Sequence, residues 1–225
     1  MRTEKPAGVL FDVDGTLVDT TYLHTVSWAE AFRQAGHPVP MARIHRAIGM
    51  GSDMLLEHLL GADRDRAADN GLREHHDRLM AGYADRLTPL PGAAELMRAC
   101  AGRGLRVVLA SSAAEHELAK LRAALDAEDV IDAATSSADA QASKPAPDIL
   151  VAALEQSGLD RSRVIFVGDS VWDVQAAGRI GVACIALTCG GTGRAELTEA
   201  GAVAVYDDPA ELLAELDRTP LAALA

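Results

Sequence analysis

The chain of 225 residues contains few lysines, few aromatic side chains and few cysteines, and it has no long hydrophobic run. Lysine occurs only as Lys5, Lys120 and Lys144, and the remaining basic residues are arginines. The net charge of -12 excludes the basic face that a general nucleic-acid-binding protein requires. We therefore expect no nucleic-acid partner, and any site for an anionic substrate must collect its positive charge locally.

Three cysteines, Cys100, Cys184 and Cys189, form an odd and sparse set. Such a set fits a reducing compartment and buried apolar positions better than a disulfide framework. The N-terminal MRTEKPAG has no apolar signal region, and no stretch approaches the roughly 18 apolar residues of a membrane-spanning helix. We therefore expect a cytoplasmic protein without a membrane partner.

Short apolar runs alternate with helix-like segments over most of the sequence. The runs predict strands at residues 8–13, 105–111, 130–136, 163–169, 182–187 and 202–207. Continuous apolar strands that alternate with helices are typical of a parallel sheet covered on both faces. The sequence therefore predicts an α/β fold, a Rossmann-like three-layer sandwich around a central parallel sheet.

Residues 18–88 interrupt this alternation, because they contain no strand pattern. They are instead typical of four amphipathic helices, with the last predicted over residues 68–87. We interpret the block as an all-helical subdomain inserted into a catalytic core of residues 1–17 and 89–225. The stretch TPLPG, residues 88–92, is the predicted return linker.

Polar residues follow four of the predicted strands, where ligands bind in open α/β sheets. They are Asp12 and Asp14, Ser111 and Ser112, Lys144, and Asp169 and Asp173. Converging carboxylates need a cation, and Mg²⁺ prefers oxygen ligands. A hydroxyl, backbone N–H groups and a lysine beside such a metal form a phosphate site. One carboxylate can then act as nucleophile through an aspartyl-phosphate, and a second can move the proton.

Four segments, in chain order, resemble the four motifs of the haloacid dehalogenase superfamily. They are FDVDGTLVDT (11–20), LASS (109–112), KPAPD (144–148) and GDSVWD (168–173). The resemblance covers nearly the whole chain, and residues 18–88 resemble the type-1 helical cap of that superfamily. The name-giving dehalogenases lack the second aspartate of the first motif, so its presence as Asp14 points to phosphoryl chemistry.

The resemblance implies a role for each matching residue in the first two motifs. Asp12 is expected to be the nucleophile and a metal ligand. Asp14 is the expected general acid and base, with its backbone carbonyl on the metal. Ser111, the backbone N–H of Ser112 and the turn at Gly15 are expected at the phosphoryl group.

The other two motifs supply charge and metal ligands. The resemblance implies that Lys144 orients Asp12 and neutralises the phosphate. It also implies that Asp169 binds Mg²⁺ directly and that Asp173 supports the metal or its waters, although Asp173 also fits an ordinary first-turn helix residue. Asp19 is expected to orient the turn that leaves the first motif.

The start of the helical block adds a candidate site residue. DGTLVDTTYLHTVSW (14–28) is similar to the β-phosphoglucomutase-like branch, in which the matching histidine lies near the proton-transferring aspartate. His24 is therefore expected at the junction of cap and core. Because His24 and Trp28 are four residues apart on one helix face, a core-facing pair is the alternative. GMGSD (49–53) resembles the cap loop that determines substrate specificity.

Departures from the branch pattern favour hydrolysis over phosphoryl transfer to a sugar. The stretch that corresponds to the mutase's specificity loop, AIGMGSDM (47–54), has no basic residue. Gly168 stands where the mutase carries an acidic residue. Residues 18–90 contain no lysine for the Schiff base of phosphonoacetaldehyde hydrolase. Arg43, His45 and Arg46 remain either an anion contact or a solvated helix face.

We therefore expect a Mg²⁺-dependent phosphatase acting on a small phosphorylated metabolite, either a phosphoglycolate-type acid or a sugar phosphate. The first alternative is a β-phosphoglucomutase-like sugar-phosphate mutase. An alternative of another class is a catalytically silent binding or regulatory protein on the same fold. The complete set of aspartates, with Ser111 and Lys144, argues against that last reading.

Overall fold

The computed structural model describes residues 6–224 and contains one six-stranded, wholly parallel sheet. The strands are β1 Gly8–Phe11, β2 Arg106–Ala110, β3 Ile131–Thr135, β4 Val164–Gly168, β5 Ala183–Leu187 and β6 Ala204–Tyr206. They lie in the order β3-β2-β1-β4-β5-β6. All six predicted strands are confirmed, and each lies within its predicted bounds.

Ten α-helices connect and cover the sheet in the described part of the chain. They are α1 Thr21–Gln34, α2 Met41–Ala47, α3 Ser52–Leu60, α4 Asp69–Ala81, α5 Ala93–Gly102, α6 Glu115–Leu125, α7 Asp148–Ser157, α8 Val171–Arg179, α9 Arg194–Ala200 and α10 Pro209–Ala214. The long helix predicted over 68–87 ends early at Ala81, because the chain turns at Gly82 into a 3₁₀ turn, Ala84–Arg86. None of the helices within residues 6–224 is long and apolar enough to cross a bilayer.

Successive side chains of the central strand enter opposite faces of the sheet. Val9 and Phe11 belong to one buried cluster, whereas Leu10 packs with Phe166 in the other. This alternation follows from strand geometry, and burial on both faces explains why the strands read as continuous apolar runs. The three-layer α/β sandwich predicted from the sequence is confirmed.

Helices α1–α4, with their connections, form a block that we call the cap, and the rest of the described chain is the core. The cap has its own buried cluster, built around Trp28, Phe32, Leu56 and other apolar side chains. The two segments that enter and leave the cap run side by side, since Val18 pairs with Pro89 across an antiparallel bridge. The domain boundaries at 17/18 and 88/89 stay a prediction.

Candidate active site

The sheet order creates a switch point between β1 and β4, at the centre of the carboxyl edge. From β1 the chain continues outward through β2 and β3, whereas β4, β5 and β6 extend the other way. The register places Phe11 beside Val167, and the backbone N–H of Asp12 donates to Val167 O at 2.9 Å. Residues that follow β1 and β4 therefore share the crevice in which ligands of open α/β folds bind.

Lys144 lies at the centre of this crevice and is only 1% exposed. Its Nζ is 2.5 Å from Asp12 Oδ1 and 2.7 Å from Asp173 Oδ1. Burial alone would lower the pKa of Lys144, but the charges of Asp12 and Asp173 raise it above its usual value. Lys144 is therefore a permanent cation that holds two carboxylates together.

Three buried carboxylates lie close enough together to share a metal ion. Asp12, Asp169 and Asp173 each offer an oxygen atom, and these atoms lie within 4.8 Å of one another. The Thr16 hydroxyl lies 3.1 Å from Asp12 Oδ2 and 3.0 Å from Asp169 Oδ1. Burial raises the pKa of Asp12 to about 7 and raises that of Asp169 above its usual value. One lysine against three carboxylates leaves excess negative charge, and the oxygen donor set fits a hard divalent cation.

Asp173 is oriented from both sides of its carboxylate. One oxygen accepts from Lys144, and Oδ2 accepts from the backbone N–H of Ser170 at 3.0 Å and from its hydroxyl at 2.6 Å. These bonds form the capping box of α8. Asp173 is thus both a first-turn helix residue and a member of the acidic cluster, so the two readings of the sequence are compatible.

Asp14 has different partners from Asp12, which separates the two carboxylates of the first motif. The Thr20 hydroxyl donates to Asp14 Oδ1 at 2.8 Å, and His24 Nε2 lies 3.2 Å from the same oxygen. Burial would raise the pKa of Asp14, but the hydrogen bond and the charge of His24 lower it below its usual value. Because β1 ends at Phe11, strand alternation does not orient Asp14; the turn at Gly15, with φ +77°, does.

A chain of hydrogen bonds extends from Asp14 into the cap. His24 Nδ1 is 3.0 Å from His76 Nε2, and His76 Nδ1 is 2.9 Å from Asp77 Oδ1. Burial lowers the pKa of His76 to about 4, whereas the hydrogen bond to Asp14 outweighs burial and raises that of His24. A neutral His76 therefore donates from Nδ1 to Asp77 and accepts at Nε2 from His24. His24 can donate to Asp14 and His76 together when it is protonated.

A cavity of about 410 Å³ lies between cap and core at this edge of the sheet. Its walls include Asp12, Asp14 and Lys144 from the core and His24, His76 and Arg73 from the cap. The cavity therefore brings residues of the first and third motifs together with His24, whereas Asp169 and Asp173 of the fourth motif are not among its lining residues. Trp28 also lines it but is 4% exposed and stacks on His76, so Trp28 is a core residue of the cap.

The two serines after β2 differ in placement. Ser111 is completely buried, and its Oγ accepts from the backbone N–H of Ala113 at 3.0 Å, which leaves its own O–H free to donate. Ser112 lines the cavity, and its buried Oγ has no hydrogen-bond partner among residues 6–224. The sequence alone assigned a backbone role to Ser112 and did not identify its hydroxyl.

The predicted specificity loop, residues 49–53, lines the cavity over its whole length. Its glycines allow close contact with the core. A Cβ at Gly49 would lie 2.5 Å from Ser170 Oγ, and one at Gly51 would lie 2.0 Å from Ser143 Oγ. Asp53 Oδ2 accepts from the backbone N–H of Ser143 at 3.2 Å. The loop therefore rests directly on the core segment that leads into Lys144.

The basic residues just before this loop do not line the cavity. His45 Nε2 lies 3.1 Å from the carbonyl oxygen of Gly190, and Arg46 pairs with Glu196 of α9. Arg43 and Arg46 are exposed. The structure therefore does not support an anion contact by Arg43, His45 or Arg46 within this cavity. His45 and Arg46 instead join the outer edge of the cap to the core.

Several residues of the site carried no clear signal in the sequence. Thr16 and Thr20 lie inside the first motif, but nothing in their spacing distinguishes them from turn residues. His76 and Arg73 lie on α4, an amphipathic helix whose orientation depends on its packing against α1. Gly190 follows β5 and would place a Cβ 1.6 Å from Asp169 Oδ2.

Comparison with known proteins agrees with the motif resemblance. Residues 6–181 match the family model for haloacid dehalogenase-like hydrolases. A phosphoglycolate phosphatase of Rhodospirillum rubrum is 31% identical over 219 residues, which covers 92% of this chain and 89% of that protein. The chain also matches Protein SUPPRESSOR OF QUENCHING 1 of Arabidopsis thaliana, at 31% identity, but spans only 20% of its length.

Two solved structures have closely similar folds. A hydrolase from Pseudomonas syringae aligns with a TM-score of 0.89 and 32% identity. The alignment covers 94% of this chain and 98% of the hydrolase. A putative beta-phosphoglucomutase from Bacteroides vulgatus aligns with a TM-score of 0.86, and covers 99% and 91% of the two chains. At 18% identity, this second likeness concerns the fold alone.

Proposed function

The chain belongs to the haloacid dehalogenase-like hydrolases, and on this premise we propose that it is a Mg²⁺-dependent phosphatase acting through an aspartyl-phosphate. The proposed substrate is a small phosphorylated metabolite, either a phosphoglycolate-type acid or a sugar phosphate. One observation carries the proposal: the Asp12–Lys144 pair and the Asp14–His24 pair line one cavity, and Asp12 also belongs to the buried acidic cluster.

Asp12, Asp169 and the backbone carbonyl of Asp14 are the proposed Mg²⁺ ligands, with Asp173 in support. When bound, the cation would offset the negative charge of the cluster and of the phosphoryl oxygens. Lys144 orients Asp12 and favours its ionised form against the effect of burial, because its Nζ is 2.5 Å from Oδ1. Ser111, Ser112 and the turn at Gly15 are the proposed contacts of the phosphoryl group.

The proposed reaction has two displacements at phosphorus. A carboxylate oxygen of Asp12 forms a bond to phosphorus while the ester P–O bond breaks, and Asp14 donates a proton to the leaving oxygen. Water then attacks the phosphorus of the aspartyl-phosphate, Asp14 accepts its proton, and inorganic phosphate leaves with Asp12 regenerated. The His24 imidazole, 3.2 Å from Asp14, is placed to supply the proton that Asp14 donates in the first step and to take up the proton that Asp14 accepts in the second.

Two features support hydrolysis over the mutase alternative. The specificity loop presents no basic side chain for a second phosphate, as its sequence requires. Gly168 packs directly on Asp173, and an added Cβ would lie 2.5 Å from that side chain, so the mutase's acidic residue does not fit here without displacement. Relatives that are 31% identical to this chain are named phosphoglycolate phosphatases, which supports a phosphoglycolate-type acid as one leading substrate.

Hydrolysis of 4-nitrophenyl phosphate tests the proposal without requiring the natural substrate. We expect turnover in Mg²⁺ that is abolished by EDTA and restored by excess Mg²⁺, because the acidic cluster repels the phosphate when no cation is bound. Release of nitrophenolate over time is the measurement. If the folded protein shows no Mg²⁺-dependent hydrolysis, the alternative of a catalytically silent binding or regulatory protein is favoured.

Gly190→Ala is expected to raise the Mg²⁺ concentration needed for half-maximal activity by about tenfold or more. The added methyl would occupy space 1.6 Å from Asp169 Oδ2 and must push that ligand aside. Misplaced ligands typically weaken metal sites by about 10–100-fold. Gly193→Ala is the matched control, because nothing beyond its chain neighbours lies within 4 Å of the position that its added methyl would take. Equal Mg²⁺ requirements for the two variants would contradict the assignment of Asp169.

A further inference from the structure

The cavity has two permanently cationic side chains among its described lining residues, Lys144 and Arg73. They differ in how much of their charge is already neutralised. Lys144 is hydrogen-bonded to Asp12 and Asp173 and is nearly inaccessible, with 1% exposure. Of these two side chains, Arg73 is therefore the one whose positive charge is available to the far end of a substrate.

Arg73 is held in place by neutral partners. Its Nε donates to Ser52 Oγ and its Nη1 to Asn70 Oδ1, each at 3.0 Å. Its Nη2 is 4.0 Å from Asp69 Oδ2, which is too far for a hydrogen bond. Asp69 already accepts two hydrogen bonds from Arg64, at 3.0 and 2.9 Å. Nη2 of Arg73 therefore keeps N–H donors that no carboxylate of residues 6–224 accepts from, and its charge is only partly offset by Asp69, which is already bonded to Arg64.

The other carboxylates in the cavity wall are satisfied internally. Asp53 accepts from the backbone N–H of Ser143 at 3.2 Å, and Asp77 accepts from the His76 imidazole at 2.9 Å. Glu117 accepts from a backbone N–H on its own helix turn, at 3.4 Å, and burial raises its pKa. Hydrogen bonds fix these three groups in the wall without removing their negative charge, and Arg73 is the cap residue of this wall that attracts an anion.

The fold fixes Arg73 on the cap wall of the cavity. Arg73 lies three residues before His76 on α4, so both side chains share one helix face. Its hydrogen-bond partner Ser52 follows Gly51, which packs against Ser143 immediately before Lys144. Arg73 and Lys144 therefore belong to opposite walls of the same cavity, joined by the contact between the specificity loop and the core.

We propose that Arg73 binds a carboxylate of the substrate and so directs the enzyme towards short phosphorylated hydroxy acids in preference to neutral polyol phosphates. The guanidinium fork matches a carboxylate in shape and charge, and such charge-assisted pairs are about twice as strong as neutral hydrogen bonds. This inference rests on the proposed phosphatase function and assigns its substrate class to one side chain.

The test compares two esters of the same length, 2-phosphoglycolate, which ends in a carboxylate, and 2-hydroxyethyl phosphate, which ends in a neutral hydroxyl group. Arg73→Gln is expected to lower kcat/KM for phosphoglycolate by about 10–100-fold, the range for losing a charged hydrogen-bonded pair. For the neutral ester we expect a change below about threefold, and Arg73→Lys should retain part of the preference. Arg78→Gln is the matched control, because Arg78 is exposed on the same helix.

Turnover of 4-nitrophenyl phosphate separates the two proposals. If Arg73→Gln hydrolyses it normally while the preference for phosphoglycolate over the neutral ester is unchanged, the role of Arg73 is overturned and the phosphatase stands. The same holds if the wild-type protein shows no preference for the acid. If the wild-type protein hydrolyses none of the three esters in Mg²⁺, both proposals fail together.

Discussion

Asp12→Asn is expected to lower kcat for 4-nitrophenyl phosphate by a factor on the order of 10⁴ or more. The amide cannot form the aspartyl-phosphate, so the proposed two-step route is lost and not merely slowed. The remaining partners of the site are preserved, because an amide has the same shape and Lys144 keeps Asp173 as a partner. Single-turnover and steady-state assays at saturating Mg²⁺ measure the effect.

The same substitution should leave the metal-free protein at least as stable as the wild type. Asp12 is 3% exposed, and burial raises its pKa to about 7, so its charged form is unfavourable in the folded state. Removing one of three clustered carboxylates relieves repulsion in EDTA, which thermal unfolding detects. Asp19→Asn is the matched control, since Asp19 is exposed in the same motif. Activity that survives in Asp12→Asn would overturn the nucleophile assignment.

Lys144→Met is expected to reduce both stability and activity. The substitution leaves Asp12, Asp169 and Asp173 buried together without their cation. Breaking a buried ion pair by removing one partner costs about 3–5 kcal/mol, and we expect that loss in the free energy of unfolding without Mg²⁺. Activity should fall by about 10³-fold or more, because Asp12 loses its orienting partner and the phosphate loses a counter-charge.

A double variant distinguishes lost charge pairing from simple loss of packing. Combining Lys144→Met with Asp12→Asn should recover part of the lost stability, because one fewer carboxylate is left unpaired. Denaturant unfolding of the four proteins gives the coupling between the two positions. Lys120→Met is the control for removal of a lysine, since Lys120 is exposed on α6. Additive losses would contradict direct pairing as the source of stability.

The core of the site could be predicted because its parts follow the strands: Asp12 and Asp169 come directly after β1 and β4, and Lys144 lies in the segment after β3. Apolar runs located all six strands, and parallel strands bring their carboxyl ends to one edge whatever the connections between them. The sequence therefore predicts that Asp12, Lys144 and Asp169 lie close together. The boundaries were less exact, and β1 ends at Phe11, before both aspartates of the first motif.

The cap contribution could not be predicted in the same way. His24 meets His76 across 52 positions of sequence, and this contact depends on how α1 packs against α4. Helical periodicity indicates which face is buried but not which neighbouring helix it meets. Helical periodicity likewise did not distinguish Arg73 from the other arginines of the chain. It also could not identify Glu196 of α9 as the partner of Arg46.

One contact between cap and core gives the protein an intrinsic optical reporter. Trp172 belongs to α8 of the core, yet its ring packs against the cap cluster and its Nε1 donates to Arg46 O at 3.0 Å. The other tryptophan, Trp28, is enclosed within the cap. Separation of the cap from the core would transfer the indole of Trp172 to water, whereas Trp28 would keep its stacking on Phe32 and His76 within the cap. The emission spectrum of the unlabelled chain would therefore report a separation of its cap from its core.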